Sequence, residues 1–184
     1  IKWFVNLNPS LDLNVSNLFY GNQIVNNNNL VIIPTNEYTY VIDALNGSII
    51  YKLNFTSLIK PIITDKYFFS ISDNDLLIAF DLKNGKIIYS YDINEKISLF
   101  LNTKKKKKIS LFLKTKKKKT YFNFLTMTND DLMIFLENSF VLRFDIRGNL
   151  KEVNKLPSKI LSKPIFINRK VLYFNTKKKL VVLD

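Results

Sequence analysis

Two stretches, VIDALNGSIIYKL at residues 41–53 and AFDLKNGKIIYSY at residues 79–91, superpose residue for residue and put Asp43 and Asp81 38 positions apart. A third, degraded copy, RFDIRGNLKEV at residues 143–153, is one residue shorter before its glycine, Gly148. The aspartate that follows Asp145 in this series is Asp184 in VVLD, 39 positions on. A proline supplies a second landmark: Pro61 precedes Asp81 by 20 residues, and Pro164 precedes Asp184 by 20. The same offset lands on Gln23 in the first unit and Leu125 in the third, each followed by an apolar, strand-like run. Two landmarks that keep one offset define a repeat, and a period of about 40 residues belongs to solenoids, propellers and arrays.

Inside a unit, short runs rich in Ile, Val, Leu, Tyr and Phe alternate with Asn, Asp and Gly, the pattern of strands joined by tight turns. The second unit gives strands at 62–63, 67–71, 76–81 and 87–91. Asn46-Gly47 and Asn84-Gly85 are turn dipeptides, because Asn and Gly accept the positive φ of a tight hairpin. No window keeps a 3.6-residue period long enough to argue for a helix. Four short antiparallel strands per unit, repeated, give an all-β fold, a β-propeller of four-stranded blades. About four blades are expected, at residues 20–53, 58–91, 122–153 and 161–184, with residues 1–5 ending a preceding blade. Asp43, Asp81, Asp145 and Asp184 are expected to fold their side chains onto nearby backbone amides. Trp3, Tyr51 and Tyr89 are expected to pack between neighbouring blades.

Composition narrows the function. Among the 184 residues there is no Cys and no His, so imidazole or thiolate zinc sites, Ser-His-Asp and Cys-His nucleophiles and disulfides are excluded. Apolar residues at 47% suffice for a core. Lys, Asn and Ile fill 70 positions and Ala only two, a skew that A/T-rich codons produce. The longest pure apolar runs are pieces such as residues 76–80, so neither a membrane span nor a secretory signal is expected. The chain begins at Ile1 rather than Met, so its start is expected to be processed or cut, with an address tag missing.

The unit P-x(n)-Y-x-x-S-x-x-D-x-x-L-x-A-F-D-x-K-N-G-K-I-I-Y resembles the repeat of pyrroloquinoline-quinone-type propellers. Asn-Gly stands where that family has Thr-Gly, and Tyr where it has Trp; Trp3 keeps the usual residue. The resemblance covers nearly the whole chain outside the insertion described below. It implies two functional branches. In quinone-dependent dehydrogenases the propeller holds the quinone and a calcium ion. BamB-type lipoproteins are periplasmic, eight-bladed and non-catalytic, and assist assembly of outer-membrane β-barrels. The enzyme branch commonly has a vicinal Cys pair, absent here, and a carboxylate cluster. Here Asp73, Asp75, Asp130 and Asp131 fall in hairpin turns without the ligand spacing of a calcium loop. The resemblance therefore implies no cofactor and a scaffold forming the C-terminal half of an eight-bladed ring. Its implied partner is the central barrel-assembly subunit, at the periplasmic side of the outer membrane.

Between Asp81 and Asp145 the spacing is 64, so roughly 26 residues are inserted relative to the repeat. The insert holds a tandem duplication, ISLFLNTKKKKK (residues 97–108) followed by ISLFLKTKKKKT (residues 109–120). Ten of the 16 residues from 104 to 119 are Lys; without them 18 basic residues face 15 acidic ones, so most of the net charge of +13 is local. A nucleic-acid face would spread Arg and Lys over several elements with aromatics interleaved, and no such partner is expected. A solvated, self-repelling loop accounts for the block. A contact with anionic lipid through Lys104, Lys105, Lys106, Lys107, Lys108, Lys116, Lys117, Lys118 and Lys119 is the functional alternative. The two ISLFL segments are open between interfacial contact and strand pairing. Leu11, Asp12 and Leu13, in the long connector after Trp3, form a candidate protein contact, which a plain crossing strand explains nearly as well.

Overall fold

The computed structural model describes residues 2–7, 23–27, 29–103, 120–168 and 170–183. Four sheets follow one another along the chain. The first joins β1 (Val25–Asn27), β2 (Leu30–Pro34), β3 (Thr39–Asp43) and β4 (Ile49–Leu53). The second joins β5 (Ile62–Ile63), β6 (Tyr67–Ile71), β7 (Leu76–Asp81) and β8 (Lys86–Asp92). The third joins β9 (Phe122–Thr128), β10 (Asp131–Leu136), β11 (Phe140–Asp145) and β12 (Leu150–Lys155), and the fourth β13 (Ile165–Ile167), β14 (Lys170–Phe174) and β15 (Leu180–Leu183). Every sheet keeps its strands in sequence order, the meander that short turns between antiparallel strands dictate.

Local details repeat along with the strands. Pro61 and Pro164 are both buried just ahead of the first strand of their sheets, where a missing amide costs no ladder bond. The isolated bridge Ser57–Ser72 recurs as Ile160–Asn175, displaced by the same 103 residues that carry Pro61 to Pro164. Register shifts between Val41 and Ile42 and between Arg143 and Phe144 sit one step before the repeat aspartate of their sheets. Asp75, Ser139 and Lys178 all have positive φ in the hairpin between the second and third positions of their meanders.

The chain divides into two compact units, residues 1–73 with 78–88, and residues 74–77 with 89–184. In the first, Val25, Ile32 and Val41 pack with Phe68, Phe80 and Leu82. A second cluster there puts Ile33, Tyr40 and Ile42 against Val5 and Leu7. In the second unit Phe135, Val141, Leu156, Ile160 and Tyr173 form the core, with Phe166, Val171, Val181 and Leu183 packed on it.

One expectation is overturned. A helix, α1 (Ile93–Thr103), follows β8 and includes the first ISLFL segment, which neither pairs as a strand nor forms a loop. Ile93, Ile97 and Leu101 fall one turn apart and are buried, and α1 packs against β12. The Asp92 carboxylate caps its start, accepting the Asn94 and Glu95 amides at 2.8 and 3.2 Å.

Candidate functional site

The repeat positions form a junction that occurs three times. At the β3–β4 turn Asp43 accepts the amides of Leu45 and Asn46, and the Gly47 amide bonds the Asp43 carbonyl. The Trp3 ring lies over that glycine, where an added Cβ would come within 2.6 Å of the ring, and its indole N–H donates to the Ala44 carbonyl at 2.9 Å. At the β7–β8 turn Asp81 accepts from Lys83 and Asn84, and Tyr51 covers Gly85 with its hydroxyl 3.4 Å from the Lys83 carbonyl. At the β11–β12 turn Asp145 accepts from Arg147 and Asn149. Tyr89 and Tyr91, stacked 5.0 Å apart, both cover Gly148, and the Tyr89 hydroxyl donates to the Ile146 carbonyl at 3.2 Å. The glycine is required twice over: its φ lies between +66° and +79°, and the aromatic ring occupies the space of a side chain.

These contacts set the charge state of the turns. The Asn84 amide is the largest influence on Asp81 and, with the Lys83 amide, holds its carboxyl below the usual range. For Asp145 partial burial acts upward, but the Asn149 amide, the Asn149 side chain and Lys151 outweigh it and bring it to about 2. Burial, helped by the charge of Asp145, pushes the Tyr89 phenol up. Ionised carboxylates saturated by turn amides and a phenol kept neutral are structural groups. Among the described residues no three His, Cys, Asp or Glu side chains gather as a metal site would require.

The second unit adds two arrangements that the repeat pattern did not signal. Arg143 on β11 forks to Asp131 on β10 and Glu152 on β12, tying three strands through cross-strand ion pairs. The two roots of the insertion also meet: Thr120 donates to the Asn94 side-chain oxygen at 2.6 Å, and the Asn94 amide group donates to Asp75 at 3.0 Å. The excursion thus leaves and returns at one hairpin. The sequence signal for α1 was Asp92 followed by Glu95, a capping pattern. Lys177, Lys178 and Lys179 form an exposed turn between β14 and β15. Leu11, Asp12, Leu13, the lysines at 104–108 and 116–119, and Asp184 lie outside the described residues. No described helix is long and apolar enough to cross a membrane.

No family model matches this chain, and no curated protein matches it in sequence. Among solved structures it is similar to the computationally designed Ika4 protein, with TM-score 0.61 and 11% identity over 90% of this chain and 91% of that one. It is also similar to the WD40 β-propeller domain of Doa1, with TM-score 0.53 and 14% identity over 88% of this chain and 49% of that one. BamB from Moraxella catarrhalis overlaps with TM-score 0.48 and 9% identity, over 87% of this chain and 57% of that one. At such identities a likeness bears on fold alone. Together with the four successive meanders, the likeness to the Doa1 domain makes this a partial β-propeller.

Proposed function

We propose that this chain is part of a non-catalytic interaction propeller of the BamB type, assisting assembly and insertion of outer-membrane β-barrel proteins. On this reading it belongs to an eight-bladed ring at the periplasmic side of the outer membrane, and its partner is the central barrel-assembly subunit. The observation that carries the reading is the motif itself: the aspartate, turn glycine and terminal aromatic of the quinone-type repeat meet in one junction at Gly47, Gly85 and Gly148. Residues committed to such junctions make a rigid frame, which leaves the connecting loops to vary and to bind. Leu11, Asp12 and Leu13 are the proposed protein contact. The lysine block is proposed to touch anionic headgroups, each nearby Lys contributing about 1 kcal/mol.

The scaffold reading is tested by reconstitution with pyrroloquinoline quinone and calcium, followed by dye reduction with alcohols and sugars. No turnover is expected, and sustained turnover would overturn it. Sedimentation with anionic vesicles, comparing the unmodified chain with one whose lysines at 104–108 and 116–119 are replaced by Gln, tests the lipid contact, which equal binding would remove.

A further inference from the structure

The dipeptide Asn-Gly occurs twice in the sequence, at Asn46-Gly47 and Asn84-Gly85, both in repeat turns. Asn is a labile residue, and before a glycine no side chain shields the amide that follows it. When that amide nitrogen gives up its proton to base it can attack the Asn Cγ. The N–Cγ bond forms, the Cγ–Nδ2 bond breaks, and the amide nitrogen leaves as ammonia after taking a proton from water, which closes a succinimide. Water then opens the ring at either carbonyl and leaves an aspartyl or an isoaspartyl residue.

The two turns hold the attacking nitrogen alike: the Gly47 and Gly85 amides each donate to the carbonyl of their repeat aspartate at 2.9 Å. Both asparagines are exposed to water. The side chains differ. The Asn46 Oδ1 accepts the Ser48 amide at 2.8 Å, which folds the side chain forward over the Gly47 peptide. The same bond puts a donor on the oxygen that gains negative charge when Cγ is attacked. Asn84 turns the other way, its Nδ2 donating to the Asp81 carboxylate at 2.7 Å. That carboxyl is held below its usual range and is ionised at neutral pH, so it retains the leaving nitrogen and opposes negative charge building at Cγ. In the third turn the order is reversed, Gly148 preceding Asn149, and the reaction has no glycine to use.

We propose that Asn46-Gly47 is a modification site, where the chain converts itself through a succinimide well ahead of Asn84-Gly85, and that the conversion loosens Trp3 from its turn. The Trp3 ring lies so close to Gly47 that an added Cβ would stand 2.6 Å from it, and its indole N–H bonds the Ala44 carbonyl of the same turn. An isoaspartyl link adds one backbone carbon between Ala44 and Gly47, and the ring cannot keep both contacts across the lengthened turn. Trp3 is the single Trp of the chain, so indole emission reads this junction. The inference is independent of the barrel-assembly reading.

Peptide mass mapping of the 184-residue chain during incubation at mildly alkaline pH tests it, through the amide-to-acid mass gain at each site. Conversion at Asn46 is expected to run about tenfold ahead of Asn84, less than the about 100-fold that one donor contributes in a water-excluded oxyanion site. In concentrated urea, where unfolding frees both side chains, the two sites should convert alike. Trp3 emission should move to longer wavelength in step with the loss of Asn46, and Asn46→Gln, which lengthens the side chain and blocks the five-membered ring, should hold it constant. Equal rates in the folded chain, faster conversion at Asn84, or the same preference in urea as in buffer would overturn the assignment of the site. An emission shift that persists in Asn46→Gln would overturn its link to Trp3.

Discussion

At Gly85 two constraints act on one atom. The φ of +66° disfavours any L side chain, and the Tyr51 ring fills the place where a Cβ would stand. Gly85→Ala is expected to cost on the order of 2–4 kcal/mol in urea unfolding, combining backbone strain and overpacking. In a Tyr51→Ala background the steric part disappears, so a double-mutant cycle should show coupling of about 1 kcal/mol or more, and additivity would contradict the contact. Asp145 supplies a pH dependence. Its folded pKa of about 2 lies below its ordinary value of 3.8, so its contribution is present above the ordinary value and is lost as pH falls through about 2. Asp145→Asn should flatten the acid limb of stability between those two values, measured as unfolding midpoints at successive pH. The aspartates and glycines were legible in the sequence because an Asn-Gly turn is a local event. The ring over each glycine was not, since Tyr51 and Gly85 are 34 positions apart and no local pattern links them.

At the scale of elements, the β5–β8 strands lie close to where alternation and turn residues put them, and α1 does not. Its three buried positions, Ile93, Ile97 and Leu101, are four apart, but they follow the strand-like KIIYSYD and overlap ISLFL, whose alternation reads equally as strand. An 11-residue helix is too short to stand on propensity, and packing against β12 decides it. The Asp92 cap was the available signal. Asp92→Ala should cost about 1 kcal/mol, and hydrogen exchange would find the loss concentrated in the amides of α1. If those amides exchange as in the unmodified chain, the cap contributes nothing. The contacts among Asp75, Asn94 and Thr120 explain why the repeat tolerates an insertion here: both ends meet at one place, and added loop length costs little entropy.

For the molecule as a whole, the repeat was the readable quantity. A unit recurring at 38 or 39 positions named the propeller before any strand was placed, because each meander must bury its faces against neighbours of the same kind. Function was less legible for a physical reason: partner contacts on such frames reside in connectors, whose residues follow no period. The turn amides account for the most regular acidic residues, and the central claim of the proposed scaffold reading is binding. Its most direct test is titration of this chain against the purified central barrel-assembly subunit, followed by fluorescence anisotropy. The account expects saturable binding in the micromolar range or tighter, weakened by substitution of Leu11, Asp12 and Leu13; no binding at about 100 µM would contradict it.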